Sequence, residues 1–166
     1  MAQPNVRVTS SGDGLERMRQ AFKELSKMEV LVGVTQEKAT RPGEPVTNAE
    51  LMFIHTKGSP INHIPARPVI EPALEDDKQT ITELLGEAVK ATLEGNEELA
   101  KQKLEAAGLE GQGASQDWFD NPKNNWPPNS PAVQEAKRKK GSTNPKPLID
   151  TGELRKSITY VVRRKE

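Results

Sequence analysis

The chain has 166 residues, with 24 Lys and Arg balanced by 24 Asp and Glu, and no cysteine. Only 33% of the residues are hydrophobic and 4% aromatic against 29% charged, which allows one domain with a modest core and leaves little room for two. The missing cysteines exclude disulfides, thiolate metal sites and a cysteine nucleophile, and the zero formal net charge gives no global field to draw in nucleic acid or an anionic membrane.

Taken in order, the opening residues Met1 to Ser10 lack a basic start followed by an apolar stretch, and no window approaches the roughly 20 apolar residues of a membrane span, so the expectation is a soluble cytoplasmic product. Val6 and Val8 alternate with Arg7 and Thr9, which predicts a strand over 5–10 before the turn residues Ser11 to Gly14. Asp13 and Glu16 have capping-box spacing, and Leu15, Met18, Phe22 and Leu25 recur at helical intervals, which predicts an amphipathic helix over 14–27. Residues 28–34 read as a central strand, with Val30, Val32 and Val34 on one face. A polar loop follows to Val46. Thr47 and Glu50 then mark a capping box for a short helix over 48–56 that ends near Lys57-Gly58.

Prolines 65, 68 and 72 impose an extended approach to the longest helix, expected over 71–107 in two pieces, the second capped by Asn96 and stopped by Gly108. Residues 111–146 are dense in Gly, Pro and Asn and carry Trp118, Phe119 and Trp126, so they read as an extended interaction arm ordered by neighbours. Ser130-Pro131 there is an N-cap and first-turn pair for a short basic helix. At the end of the chain, Asp150 and Glu153 repeat the capping-box spacing, and from Ser157 the alternation of Ile158, Tyr160 and Val162 predicts a strand. The domain organisation expected is thus a core over 1–110, the arm over 111–146, and a helical turn and strand in 147–166 that complete the core sheet.

Three stretches carry a resemblance. They are His55-Thr-Lys-Gly-Ser-Pro-Ile-Asn-His-Ile-Pro-Ala-Arg-Pro68, Trp126-Pro-Pro-Asn-Ser-Pro131, and Pro147-Leu-Ile-Asp-Thr-Gly-Glu-Leu-Arg-Lys-Ser-Ile-Thr-Tyr-Val-Val162, in this order and covering roughly a quarter of the chain. Together they resemble the neck or tail-completion proteins of long-tailed bacteriophages, the family of minor tail protein Z. The resemblance implies a structural virion protein at the head–tail junction, in a ring matching the six-fold symmetry of the tail. Its partners would be the tail terminator, the head-side connector and further copies of itself, with passing contact with DNA and none with membrane. It implies no cofactor, no metal and no enzymatic activity, and a place in the virion neck after assembly in the host cytoplasm.

Sharper chemical readings have plainer competitors. His55 and His63, eight residues apart, lack the spacing and third ligand of a zinc site. Asp150 and Glu153 are explained by capping, with no nucleophile or phosphate-binding loop beside them to make a virion-associated hydrolase. The run Lys137, Arg138, Lys139 and Lys140 is the densest positive stretch, and a DNA-contacting neck protein is the alternative it raises; a solvated or partner-paired basic face is the plainer reading. Trp118, Phe119, Trp126 and Pro127 read as interface anchors, and Arg67 as a fork for a carboxylate on another element. Asp150, Thr151, Gly152, Leu154 and Ile158 form the terminal structural motif, with Leu154 and Ile158 pointing inward. The fold class expected is α+β, a small and mainly antiparallel sheet of 5–10, 28–34 and 157–163 under two to three helices, with the Gly/Pro-rich arm projecting.

Overall fold

A computed structural model describes residues 12–142 and 144–165, and the strand expected over 5–10 lies outside them. The fold is α+β. In chain order the elements are α1 (Gly12–Leu25), β1 (Met28–Val34), α2 (Gln36–Ala39), α3 (Asn48–Lys57), α4 (Ile70–Asp76), α5 (Lys78–Leu93), α6 (Glu97–Asp117), α7 (Pro131–Lys139), α8 (Glu153–Ser157) and β2 (Ile158–Arg164). β1 and β2 pair antiparallel, with Val30 opposite Val162, Val32 opposite Tyr160 and Val34 opposite Ile158. Every second residue of each strand therefore lies on one apolar face.

That face rests on α6, and the contact explains why α6 runs ten residues past the expected end. Glycine inside a helix costs roughly 1 kcal/mol relative to alanine, which is why Gly108 reads as a stop. Gly108 and Gly111 are instead the places where the sheet comes closest. A Cβ at Gly108 would lie within 2.8 Å of the Tyr160 ring, and one at Gly111 within 2.9 Å of Leu74 and 3.0 Å of Val32. Close packing of the sheet offsets the backbone cost.

α5 and α6 form a helical hairpin through Gly95 (φ 75°) and Asn96, whose side chain accepts from the Leu99 amide at 3.0 Å. The buried residues facing across it are small or slim, Ala88, Ala91 and Thr92 against Ala100, Leu104 and Ala107. The expected single start of the long helix is broken at Asp77, which leaves helical geometry (φ −103°, ψ 16°) and accepts from Thr80 Oγ1 at 2.9 Å. A short carboxylate that bonds locally competes in this way with the helix backbone. α1 has α5 as its main neighbour and does not sit chiefly on the sheet; Leu15, Met18 and Phe22 remain 57%, 43% and 43% exposed.

The capping box of α3 is complete: Thr47 Oγ1 accepts from the Glu50 amide at 3.2 Å and Glu50 accepts from the Thr47 amide at 2.9 Å. That of α8 is not. Gly152 (φ 80°) occupies the N-cap, Asp150 stands two residues outside, and Thr151 Oγ1 accepts from the Glu153 amide at 3.4 Å in its place.

The core joins Met52, Val69, Ala73, Trp118, Phe119, Leu154 and Ile158, all buried, with Val32, Val34, Ile70, Trp126, Leu148 and Ile149 packed around them. Membership of Trp118 and Phe119 corrects the expectation of a projecting arm over 111–146. Residues 111–117 finish α6, 118 and 119 enter the core, Pro122–Asn124 make a 3-10 turn, and α7 follows at 131. The Gly, Pro and Asn content points to an arm ordered by neighbours, whereas its own domain orders it. Two aromatic residues are enough to anchor the segment.

Candidate functional site

The three resembling stretches line one cavity, and Arg67 joins the first two. In the first stretch Gly58 closes α3 at φ 72°, a conformation that glycine adopts readily, and a Cβ there would come within 2.8 Å of the Ala66 amide and 2.9 Å of the Ile64 carbonyl. Ser59 and Ile64 exchange backbone bonds at 2.8 and 2.9 Å across the turn Pro60–Asn62, and His63 sits left-handed at φ 53°. The chain then runs extended through Pro65 and Pro68, tied to α3 by the Arg67 amide donating to the His55 carbonyl at 2.6 Å.

Arg67 is 6% exposed. Its Nε and Nη2 donate to the Pro127 carbonyl at 3.1 and 2.8 Å, and Nη2 also reaches the Pro128 carbonyl at 3.0 Å. The expected carboxylate partner is thus replaced by two backbone carbonyls of the second stretch. Proline imposes this arrangement, since Pro127 and Pro128 have no N–H to give a neighbouring strand and their carbonyls need donors from elsewhere. Trp126 fixes the same stretch from the other side, donating Nε1–H to the Pro68 carbonyl at 3.1 Å and meeting Phe119 edge to face at 5.8 Å. Asn129 links it to the approach of the third stretch, its Nδ2 donating to the Pro145 carbonyl at 2.9 Å.

Between the stretches lies a cavity of about 1030 Å³, lined among others by His55, Arg67, Ser130, Leu148 and Leu154. Arg41, Lys57, Arg67 and Lys137 contribute positive charge to its wall, and Asp150 and Glu153 negative charge. Arg41 Nε and His55 Nδ1 are buried without hydrogen-bond partners. Burial, assisted by the charge of Arg67, holds the His55 imidazole below its usual pKa, and burial alone lowers that of Arg67. Backbone strain gathers in the same place. Among the described residues, the non-glycine positions with left-handed φ are His63, Asn125 and Leu148, each inside a stretch or one residue from it. Such conformations cost of order 1–3 kcal/mol and persist only where the surroundings fix them.

The basic run is divided. Lys137 Nζ donates to the carbonyls of Lys146 at 2.8 Å, Asn144 at 3.3 Å and Ile149, so it fastens the loop before the third stretch. Arg138 lies 3.7 Å from Glu135. Lys139 and Lys140 are exposed. Of the other expected anchors, Trp118 and Phe119 are 6% and 2% exposed and offer no surface to a partner, Trp126 is half-buried, and Pro127 is exposed over Arg67. Asp150 and Thr151 line the cavity mouth with Gly152, while Leu154 and Ile158 are buried at 6% and 1% exposure.

Sequence reading missed Asp120, which accepts from Arg155 at 2.9 Å and from Lys146, while Arg155 also reaches Asp117 at 3.0 Å. These pairs hold the end of α6, the 144–147 loop and α8 together, and the Lys146 and Arg155 charges keep the Asp120 carboxyl below its usual pKa. Charges 26 to 38 residues apart give no local pattern by which to find them.

Among the described residues no three His, Asp or Glu side chains gather as a metal site, and no helix is long and apolar enough to cross a membrane. Comparisons with protein families, curated proteins and solved structures find no match to the chain.

Proposed function

We propose that this chain is a structural subunit of a bacteriophage neck that completes the tail and joins it to the head, acting through protein surfaces as one member of a ring and without catalysis. The observation that supports the reading is the meeting around one cavity of the three stretches that resemble tail-completion proteins, the first two bonded through Arg67. Stretches 58 or more residues apart bond to one another through Arg67 to Pro127 and Trp126 to Pro68, and share one cavity. A resemblance arising from unrelated local turns has no reason to assemble in this way. On this reading the joined stretches are a scaffold that fixes the cavity mouth and the turn at Pro60–Asn62 in position for neighbouring proteins. The partners would be the tail terminator, the head-side connector and other copies of the chain, and its places the host cytoplasm and then the virion.

The test is depletion of the chain during growth of the phage that encodes it, with electron microscopy of the lysate. Filled heads beside separate, complete-length tails are expected. Normally joined particles in the depleted lysate would contradict the proposal.

A further inference from the structure

At one end of α3 the chain holds a large aliphatic side chain almost wholly in water. Ile61 is 92% exposed at the tip of the turn Pro60–Asn62. The turn is rigid: the Ser59–Ile64 bridge closes its base, Asn62 Nδ2 donates to Ser59 Oγ at 2.9 Å, and Gly58 and His63 take left-handed conformations to shape it. A side chain presented on so fixed a support loses little freedom on docking. At the other end of α3, about 15 Å away by helix rise, is a depression of about 440 Å³ lined by Pro45, Val46, Ala49, Phe53 and Ile54, with Glu50 at its edge. Phe53 is 65% exposed there.

The charges around the two features are opposite. Lys57, exposed and without an ion pair among the described residues, stands at the base of the turn; Glu50 borders the depression and the exposed Glu44 precedes Pro45. Bonds from the Thr47 amide and hydroxyl hold the Glu50 carboxyl below its usual pKa and so ionised. Of the two cations near in sequence, Arg41 lines the larger cavity, and the exposed Lys38, whose carbonyl accepts from Asn48 Nδ2 at 3.0 Å, is not among the residues lining the depression.

We infer that the Ile61 turn of one copy docks into the Pro45–Ile54 depression of the next, with Lys57 facing Glu44 and Glu50 across the contact. Ile61 and the depression lie at opposite ends of α3, so Ile61 does not fill the depression of its own chain, and a second copy brings the two together with opposite charges facing. Two different patches that complement each other on one molecule generate a head-to-tail contact, which closes into a ring when the rotation allows. The inference rests on the ring-subunit reading and supplies the contact that reading requires.

The chain contains no cysteine, so introduced thiols report cleanly. Ile61→Cys and Ala49→Cys, both at exposed positions, are prepared separately with an affinity tag on one, checked for unchanged melting temperature, mixed in equal amounts and oxidised. The mixed disulfide dimer is expected in at least five-fold excess over the two symmetric dimers, and the double variant Ile61→Cys/Ala49→Cys is expected to give a ladder of higher oligomers. Adding Lys57→Glu to the Ile61→Cys partner should lower the mixed yield several-fold, and adding Glu44→Lys to the Ala49→Cys partner should restore it. A statistical mixture of dimers, or a yield indifferent to the charge changes, overturns the inference. If the mixture is statistical and Ile61→Ser in the phage still leaves heads and tails apart, the occupant is a different neck protein; the self-contact is then wrong while the neck reading stands.

Discussion

Arg67 concentrates the stabilising chemistry of the site in one side chain. A guanidinium offers two of its nitrogens to the Pro127 carbonyl and one again to Pro128, a geometry that a lysine ammonium cannot reproduce. Arg67→Lys is therefore expected to destabilise the fold by about 2–3 kcal/mol, the scale of hydrogen bonds to charged groups together with carbonyls left unsatisfied. Urea denaturation reads this directly, and an unchanged midpoint would mean that the carbonyls are satisfied some other way. His55 adds a pH dependence. Its pKa is lowered in the fold by burial and then by Arg67, so the unfolded chain takes up the proton first as pH falls through about 6.5. Stability from this residue is complete above that pH and is lost as pH drops toward the folded-state value. His55→Gln should flatten the curve of melting temperature against pH just below about 6.5, leaving the fall at more acid pH that Asp120, Glu24 and Glu50 contribute through their own lowered pKa values.

Among the elements, α6 shows what periodicity hides. Its glycines look alike in sequence and differ in surroundings. Gly108 lies under the Tyr160 ring, whereas a Cβ at Gly113 would meet nothing within 4 Å. Gly108→Ala should destabilise by about 1–3 kcal/mol through overpacking against the sheet. Gly113→Ala should stabilise by about 0.5–1 kcal/mol through helix propensity. The opposite signs, measured by chemical denaturation, test whether α6 carries the sheet. Much else at this scale was legible. β1 over 28–34, α3 with its Thr47–Glu50 box and its end at Lys57-Gly58, and the inward alternation of Ile158, Tyr160 and Val162 all follow from local pattern. The misreadings arose where long-range contact overrode a local signal. Gly108 reads as a stop because no pattern announces that a tyrosine 52 residues later will sit on it. Asp150 reads as a cap because its spacing to Glu153 is right, yet the left-handed Gly152 begins the helix two residues later.

At the scale of the whole molecule, the apparent arm is part of the domain. Trp118 and Phe119 are core residues, and the segment to 130 is fastened by Trp126 to Pro68 and by Arg67 to Pro127 and Pro128. Trp118→Ala should therefore cost about 3–5 kcal/mol, the usual scale for removing a buried aromatic residue, and differential scanning calorimetry should find it far less stable than the parent. An unchanged transition would return 111–146 to the status of an appendage. The resembling stretches could be read in the sequence, but their meeting could not. It depends on a guanidinium and two proline carbonyls about 60 residues away, and on turns in which the left-handed Leu148, unlike Asn125, carries no turn signal.

The claim on which the functional account depends is that the folded chain supplies the missing joint between head and tail. The direct measurement is complementation outside the cell: purified chain is added to a lysate of phage grown without it, and infectious particles are counted before and after. The account predicts that the titre rises by orders of magnitude and saturates with added protein, and that electron micrographs show heads and tails becoming joined. A titre that stays at background with folded protein present, while tails and heads in the lysate are otherwise competent, would contradict it.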